Sequence, residues 1–543
     1  MAPELPIWLA WPVVAVTGLS LALLLLFAAH RMHLLRLSRR TPPREASRWE
    51  APLPMVTVQL PIYNEAEVVT RLVDAAARLD YPRDRLQIQL LDDSTDETRH
   101  RAARRVAHWR ERGVQVEHHV RERRRGFKAG ALAEAMPRAQ GEFILILDAD
   151  FVPPRDLIRR LLPPFMDPEV GMVQARWDHL NEEASLLTRC QALLLDAHFF
   201  FEQGGRYAGR RFMSFNGTAG MWRRQAIEEA GGWSWDTLTE DLDLSYRCQM
   251  EGWRFVFLPE VGVPAEIPEE VRALEVQQKR WGQGGIQGGR KILPRLLRGR
   301  WPLKVKLEAA AHLMAHLAQP LTLVLGVMLL PSAVARRSLG LEELLVLDLL
   351  VFAGATLSFL VFYSAAGRRR GRPWATLLPT ATATLALGIG LNAVVSGAVL
   401  RGLGGDNRDP FIRTPKRGER RRLRYRPPRG QVDRAMKWAL ASWLWLCALA
   451  AVSWGYLPTL PFLLLFGLGY TWLLVGELLD DPGRGLRARV PGAAREAVSG
   501  DAPPSPVGVD SPVGVEHFAH GADLAHGDTS CEGEPAIHPQ GSA

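Results

Sequence analysis

The sequence predicts a soluble α/β domain inserted into an α-helical transmembrane domain. An apolar run long enough to span a membrane lies at residues 6–29, and further apolar runs follow residue 304. Between them, residues 55–294 alternate strand-like apolar runs with helical patterns, which favours a sheet of parallel strands. A chain of 543 residues has room for two or three domains.

Basic residues follow the first apolar run and do not precede it. A cleaved signal peptide carries its positive charge before the apolar run. Residues 1–40 are therefore predicted to be an uncleaved transmembrane anchor, with its N-terminus outside and the following chain in the cytoplasm. We expect an integral protein of the bacterial inner (plasma) membrane with a cytoplasmic soluble domain, reached through a proline-rich linker at residues 41–54. The basic residues are His30, Arg31, Arg36, Arg39 and Arg40.

Four strands and three helices are predicted in the first part of the soluble domain. The strands are expected at residues 56–60, 86–91, 115–119 and 143–147, and the helices at residues 65–79, 97–112 and 128–136. Polar residues follow three of the strands: Asn64 and Glu65, Asp92 and Asp93, and Asp148 with Asp150. Because ligands bind outside the carboxyl ends of parallel strands, the sequence predicts a binding site at this edge.

Four apolar runs after residue 304 are predicted to cross the membrane, at residues 313–330, 344–362, 439–452 and 460–475. A fifth run, residues 375–400, is interrupted by Pro379, Asn392 and several threonines. If it crossed, the basic stretch 401–437 would lie outside the cell, against the positive-inside rule. We therefore predict that residues 375–400 are interfacial or re-entrant, which gives about five crossings, one before the soluble domain and four after it.

The composition also excludes some classes of protein. The net charge of +9 concentrates beside the apolar runs, which indicates contact with membrane lipid, and no nucleic-acid partner is expected. The four cysteines have no metal-ligand spacing and imply no disulfide framework. Residues 481–543 are rich in Gly, Pro, Ala and Ser and are predicted to be a disordered cytoplasmic tail.

Asp148 and Asp150 directly follow an apolar strand and stand one residue apart. Two carboxylates at a strand end suit a hard divalent cation, Mg²⁺ or Mn²⁺, that also binds phosphate oxygens. Such a cation acts as a Lewis acid on a departing diphosphate. The alternative interpretation is that the motif is only the polar end of a strand.

Two earlier groups also have a binding interpretation and a structural one. Asp92 and Asp93 can accept hydrogen bonds from a base or a ribose, or they can cap the helix that follows. Lys128 lies in a Gly-Phe-Lys-Ala-Gly motif where a helix begins. A cation beside free backbone N–H groups suits a phosphate, although an ordinary surface lysine would have the same pattern.

Two later motifs complete the set of candidates. Asp241, with Glu240 as second choice, can take the proton of an attacking hydroxyl, or the pair can simply begin a helix. In the sequence Gln277-Gln-Lys-Arg-Trp, Arg280 can pair with a diphosphate and Trp281 offers a flat face to a sugar ring. The alternative for this second motif is a basic amphipathic helix at the membrane surface.

Taken together, the order and spacing of these motifs resemble the family 2 glycosyltransferases of the membrane-embedded, processive kind, such as cellulose, hyaluronan and chitin synthases. The matching residues are Asp92-Asp93, Asp148-Ala149-Asp150, Thr239-Glu240-Asp241, and Gln277 with Arg280 and Trp281. Two further stretches resemble the cellulose-synthase-like glucomannan (β-mannan or β-glucan) synthase branch. Residues 215–220, with Asn216 and Gly217, resemble its acceptor-side loop, and residues 411–416, with Thr414 and Lys416, resemble its gating loop.

The resemblance implies a GT-A (Rossmann-like) fold, a divalent cation (Mg²⁺ or Mn²⁺) and a hexosyltransferase that inverts the anomeric carbon. The donor would be UDP-glucose or GDP-mannose, and the acceptor a growing β-linked polysaccharide. The alternative is transfer of one sugar to a lipid acceptor. The implied roles are donor binding for Glu65, Asp92, Asp93, Lys128, Asp148, Arg280, Thr414 and Lys416, metal binding for Asp148 and Asp150, proton acceptance for Asp241 or Glu240, and acceptor binding for Trp281, Gln277, Asn216 and Gly217.

Overall fold

The structure, a computed structural model, describes residues 3–43, 45–405 and 431–480. These residues belong to one compact unit, Met1–Leu486. Thr414, Lys416 and the rest of the predicted gating loop (411–418) lie outside the described residues, as does the tail 481–543.

A seven-stranded sheet forms the centre of the soluble domain. Its strand order is β3-β2-β1-β4-β6-β5-β7. β2 and β4 are buried along their whole length. β4 is apolar on both faces, whereas Gln87 and Gln89 of β2 are buried in hydrogen bonds with Thr57 and Gln59 of β1. The strands are β1 (Val56–Ile62), β2 (Leu86–Asp92), β3 (Val116–Val120), β4 (Phe143–Ile146), β5 (Val170–His179), β6 (Gly220–Arg223) and β7 (Arg254–Ala265).

The prediction of a purely parallel sheet is wrong in one strand. The first four strands are parallel, as expected, but β6 runs antiparallel to both β4 and β5. The chain makes a long helical excursion after β5 and returns to the sheet from the opposite direction. As a result, the loop that precedes β6 reaches the same edge as the carboxyl ends of its neighbours.

Helices cover the sheet and extend from it. Those of the soluble domain are α2 (Val69–Ala77), α3 (Thr98–Arg110), α4 (Phe127–Ala135), α5 (Leu157–Leu161), α6 (Leu186–Ala197), α7 (Gly204–Ala208), α8 (Arg224–Glu229), α9 (Glu240–Met250) and α10 (Val271–Arg298). A π-helical turn, His198–Gln203, joins α6 to α7. The long helices outside this domain are α1 (Ile7–Leu37), α12 (Ala318–Ser338), α13 (Glu343–Arg369), α14 (Trp374–Gly404), α15 (Gln431–Trp454) and α16 (Leu460–Leu479), and the short α11 (Leu303–Leu313) precedes α12.

Six of the described helices, α1 and α12 to α16, are long and apolar enough to cross a membrane. The sequence analysis predicted about five membrane crossings, because it treated residues 375–400 as interfacial or re-entrant. That segment is one continuous helix of 31 residues, so the re-entrant alternative is wrong. A re-entrant segment must turn back on itself, whereas α14 continues through Pro379 as a helix, although proline removes one helix hydrogen bond there.

Both ends of α14 pack against the soluble domain. Near its start, Leu377 and Ala381 form a cluster with Leu193 of α6. Near its end, Val395 and Val399 pack against Ile286 of α10. Between these ends, Ile389 and Ala393 pack in a cluster with residues of α12, α15 and α16, and Asn392 accepts a hydrogen bond from Tyr470 of α16.

Candidate active site

An open cleft lies at the carboxyl edge of the sheet. Its walls come from the ends of β1, β2, β4, β5 and β7, the loop before β6, the start of α9 and one face of α10. The cleft collects twelve of the residues predicted for the site: Glu65, Asp93, Lys128, Asp148, Asp150, Asn216, Gly217, Glu240, Asp241, Gln277, Arg280 and Trp281.

Asp148 and Asp150 face this cleft from the end of β4. The backbone N–H of Asp148 donates to Thr218 Oγ1 at 2.8 Å, which fixes the start of the turn. The Asp148 side chain remains 31% exposed. Two carboxylates fit Mg²⁺ or Mn²⁺, because such cations are bound through one or two carboxylates together with water and substrate phosphates. No cluster of three or more His, Cys, Asp or Glu that could hold a metal exists within the described ranges.

Lys128 links Asp148, one of the two candidate metal-binding carboxylates, to the loop before β6. Its Nζ donates to Asp148 Oδ1 at 2.6 Å and to the carbonyl oxygen of Gly217 at 2.8 Å. Burial alone would lower the pKa of Lys128, but the carboxylates of Asp148, Glu240 and Asp241 outweigh it and raise that pKa. Lys128 is therefore protonated at neutral pH and is a cation in the cleft.

Asp241 occupies the first turn of α9 on the opposite wall. Its Oδ1 accepts the backbone N–H of Leu242 at 2.9 Å. Burial, followed by the charge of Glu240, raises the pKa of Asp241 to about 7, although Lys128 acts in the other direction. A carboxylate whose pKa lies near neutrality is suited to general-base chemistry at physiological pH.

Gly217 allows the two walls to approach each other. Its φ is +82°, and a β-carbon at this position would lie 3.1 Å from Asp241 Oδ2 and 3.6 Å from Lys128 Nζ. Strained backbone also occurs at Asn64, Phe127 and Ala219, which have φ values of 54°, 50° and 54°. Asn64 and Ala219 lie in loops and Phe127 begins α4, and each is within two residues of a cleft-lining residue. Backbone strain often accompanies function.

The two aspartates at the end of β2 have different positions. Asp93 lines the cleft and forms a bidentate pair with Arg121, with both N–O distances at 2.6 Å. Asp92 is fully buried and is not among the cleft-lining residues, so of the two predicted donor contacts Asp93 is the one that the cleft exposes. Its oxygens accept from His118 Nε2 and the Ser94 backbone N–H, both at 2.8 Å. Although burial raises the pKa of Asp92, these hydrogen bonds lower it overall.

Helix α10 places Gln277, Arg280 and Trp281 along the cleft. The spacing of three and four residues puts them on one helical face. Small residues on α10 bring it close to the start of α9: a β-carbon on Gly284 would lie 2.6 Å from Thr239 Cγ2. Trp281 thereby lines the same cleft as Asp241.

Several cleft residues were not identified from the sequence. The guanidinium of Arg124 lies 3.4 Å from the ring centre of Tyr63, and both line the cleft. Asp178 and His179 reach it from the end of β5. Both follow the apolar run 170–175, a strand signal that could have indicated them. Within that run, Gln174 Oε1 accepts a hydrogen bond from the Asn216 backbone N–H at 3.0 Å. This contact joins residues distant in sequence, so no local sequence pattern predicts it.

Comparison with known proteins identifies related sequences. Residues 54–284 match the family model described as "Glycosyltransferase like family 2". Glucomannan 4-β-mannosyltransferase 2 of Arabidopsis thaliana is 42% identical over 252 residues, which cover 46% of this chain and 47% of the relative. Glucomannan 4-β-mannosyltransferase 1 of Oryza sativa subsp. japonica is 41% identical over 252 residues, which cover 46% and 48%. The chain thus spans about half the length of the curated relatives it matches.

These relatives come from plants and give no support to the predicted bacterial membrane. Among solved structures, a mannosyltransferase of Pyrobaculum calidifontis in complex with GDP-Man and Mn²⁺ is 23% identical, with a TM-score of 0.48. The alignment covers 73% of this chain and 99% of that one.

Proposed function

We propose that residues 54–284, which match the model of family 2 glycosyltransferases, form a glycosyltransferase domain that transfers a hexose from a nucleotide sugar to the end of a growing β-linked polysaccharide. One observation carries the proposal: a carboxylate with a pKa near neutrality, Asp241, shares a cleft with the carboxylate pair Asp148 and Asp150. We propose GDP-mannose as the first donor to test, because the relatives are named mannosyltransferases, and UDP-glucose as the second.

The proposed reaction is a single displacement at the anomeric carbon. An acceptor hydroxyl attacks that carbon on the face opposite the diphosphate, and Asp241 takes the hydroxyl proton. A new carbon–oxygen bond forms while the bond between the anomeric carbon and the diphosphate oxygen breaks, so the configuration inverts. Glu240 remains the alternative proton acceptor, since it lines the same wall.

The leaving diphosphate gains negative charge, and cations of this cleft face it. Lys128 is held between Asp148 and the Gly217 carbonyl, and Arg280 reaches the same space from α10. Guanidinium groups pair with phosphate oxygens in bidentate fashion, which favours Arg280 for this role. A divalent cation, when bound by Asp148 and Asp150, would act as a Lewis acid on the diphosphate oxygens.

The acceptor end of the polysaccharide is assigned to the other side of the cleft. Trp281 offers an aromatic face, and Gln277 and Asn216 offer amide groups to sugar hydroxyls. Because the domain is attached to helices of membrane-spanning length, we propose that the product is delivered toward the membrane. This step would distinguish the chain from a soluble transferase of the same family.

A product assay on the full-length protein in native-like membranes tests the proposal. Membranes are incubated with labelled GDP-mannose or UDP-glucose and with Mg²⁺, Mn²⁺ or EDTA, and products are separated by size and by digestion with β-1,4-mannanase. We expect a long, mannanase-sensitive product that depends on the added cation. A single sugar that partitions with lipid would establish the glycolipid alternative, and no transfer from either donor would refute the proposed function.

A further inference from the structure

The side chain of Asn216, at the cleft, is held by two residues of the π-helical turn. His198 Nε2 lies 2.8 Å from Asn216 Nδ2, and Gln203 Nε2 donates to Asn216 Oδ1 at 2.6 Å. The amide donates at its nitrogen and accepts at its oxygen, so only one orientation of the amide satisfies both neighbours. Asn216 also lines the cleft, so its amide is available to a bound molecule there.

The π-helical turn explains why two residues of one segment meet the same amide. Positions 198 and 203 are five apart, and in an α-helix they would point in different directions. The hydrogen bonds of a π-helix span five residues, so positions i and i+5 come nearly into line. Such turns are rare and occur frequently at functional sites. A regular α-helix here would remove one of the two contacts with Asn216.

His198 is itself oriented by a carboxylate. Its Nδ1 lies 2.8 Å from Glu202 Oε2. A hydrogen on Nδ1 that donates to this carboxylate leaves Nε2 as an acceptor, which is the form required to receive the Asn216 N–H. Burial would raise the pKa of Glu202, but the hydrogen bond from His198 and the charge of Arg206 lower it well below its usual range. Glu202 is therefore a constant acceptor for His198.

The contacts continue beyond Glu202 to the membrane anchor. Arg206 lies 3.9 Å from Glu202 and donates through Nε to Glu308 at 3.0 Å. Glu308, on α11, also meets His30 of α1 at 3.0 Å. Arg206 and Glu308 are almost fully buried, so an unmatched charge in this chain of contacts would be costly. The pairs Arg206–Glu308 and Glu308–His30 therefore hold this side of Glu202 in place.

We propose that His198, supported by Glu202, is a positioning residue that holds the amide of Asn216 in the orientation needed to recognise a hydroxyl of the acceptor sugar. This inference rests on the proposed function, because it assigns a role in acceptor recognition within the same cleft. It predicts an effect on the acceptor and none on the nucleotide donor. His198 touches neither substrate in this assignment and acts through Asn216.

Kinetics with a short β-1,4-manno-oligosaccharide acceptor test the assignment in the full-length protein. His198→Leu removes both ring nitrogens and should lower kcat/KM for the acceptor about tenfold, as expected for one hydrogen bond. The KM for GDP-mannose should change less than twofold. His198→Gln keeps an acceptor atom near the position of Nε2 and should recover most of the loss. Glu202→Gln should resemble the wild type, whereas Glu202→Leu should resemble His198→Leu.

A double variant separates positioning from a general structural role. If His198 acts through Asn216, His198→Leu combined with Asn216→Ala should be no worse than Asn216→Ala alone. His100→Gln, an exposed histidine on α3 far from this turn, is the matched control and should leave both KM values unchanged. The assignment is overturned if His198→Leu alters the donor KM, leaves the acceptor unaffected, or adds fully to Asn216→Ala. Inactivity of the wild type with every donor would refute the proposed function instead.

Discussion

Two opposing influences act on the carboxyl of Asp241, and they determine how the proposed reaction should depend on pH. Burial and Glu240 raise its pKa, whereas Lys128 and the helix N-terminus favour the charged form. The net result is a pKa of about 7. A base must be deprotonated to act, so activity should be lost as pH falls through this value. We predict that kcat/KM for the donor rises about tenfold per unit below pH 7 and levels off above it.

The same pKa predicts how Asp241→Asn should behave. Loss of a general base typically lowers rates by about 10²- to 10⁴-fold. Because the folded-state pKa lies above that of an unfolded aspartate, ionisation above about pH 4 destabilises the fold, and neutral asparagine removes this cost. We therefore expect a transfer rate reduced at least 100-fold and an unfolding temperature equal to or above that of the wild type. Undiminished transfer would refute the assignment and direct attention to Glu240.

Gly217 should be sensitive to a single added methyl group. Alanine in a left-handed conformation costs about 1–2 kcal/mol at any site, and here its β-carbon would also press on Asp241. Gly232 is a matched control, since it has φ +74° with no atom within 4 Å of an added β-carbon. We predict that Gly217→Ala and Gly232→Ala lower the unfolding temperature by similar amounts. Only Gly217→Ala should lower the transfer activity, by at least tenfold. Equal activity in the two variants would show that the close approach to Asp241 is irrelevant.

At the scale of elements, the sequence analysis predicts the first four strands and misses β5, β6 and β7. β1 to β4 were expected within one or two residues of their observed ends, and of these β4 is a continuous apolar run. β6 has only four residues and no usable periodicity, so neither the strand nor its antiparallel direction was predicted. Its pairing depends on contacts with β4 and β5, which are distant in sequence.

The pair Asp92-Asp93 shows a similar limit for site residues. Both were assigned to the donor, yet successive side chains of a strand point to opposite sides. Asp93 therefore faces the cleft, and Asp92 turns inward to His118. The alternation alone could have indicated that one of the two must be structural. Which of them it would be depends on His118 of the neighbouring β3, which a local pattern does not reveal.

A buried lysine joins three helices at the base of the soluble domain. Lys437 of α15 has no exposed surface and pairs with Glu275 of α10 at 2.6 Å and with Glu477 of α16. Removing one member of a buried ionic group costs about 3–5 kcal/mol, because the remaining charges lose their partner. We predict that Lys437→Met clearly lowers the unfolding temperature of the detergent-solubilised protein. Adding Glu477→Gln should restore part of that loss.

Lys304→Met is the control for this variant, since Lys304 is an exposed lysine where α11 begins. It should change the free energy of unfolding by no more than about 0.5 kcal/mol, as for most surface substitutions. The unfolding temperature should therefore stay close to that of the wild type. Activity offers a second measurement. Glu275 stands two residues before Gln277 on α10, so disturbance of the ionic group should also lower transfer. An unfolding temperature unaffected by Lys437→Met would mean that the three helices are held together by apolar packing alone.

At the scale of the whole molecule, the contacts of the long helices suggest a topology. Each of α1, α13, α15 and α16 has one end against the soluble domain. α1 meets it at Leu34, α13 at Phe362, and α16 through Asp480, which accepts the Val271 N–H at 2.8 Å. α1, α13 and α16 meet the domain near their C-terminal ends, and α15 meets it near its N-terminal end. This arrangement is consistent with five crossings. α14 differs because both of its ends meet the domain, so its length and apolar composition are explained by burial in protein as well as by lipid.

We predict that α14 does not cross the membrane and that residue 404 lies on the same side as the soluble domain. Gly404→Cys, at an exposed position with no atom within 4 Å of an added β-carbon, is introduced together with Cys531→Ser and labelled with a membrane-impermeant maleimide. It should react only in inside-out vesicles. Glu342→Cys, in the turn between α12 and α13, should react only in right-side-out vesicles and shows that both preparations are sealed. If Gly404→Cys labels with Glu342→Cys, then α14 is a sixth crossing, and the basic stretch 401–437 begins outside, against the positive-inside rule.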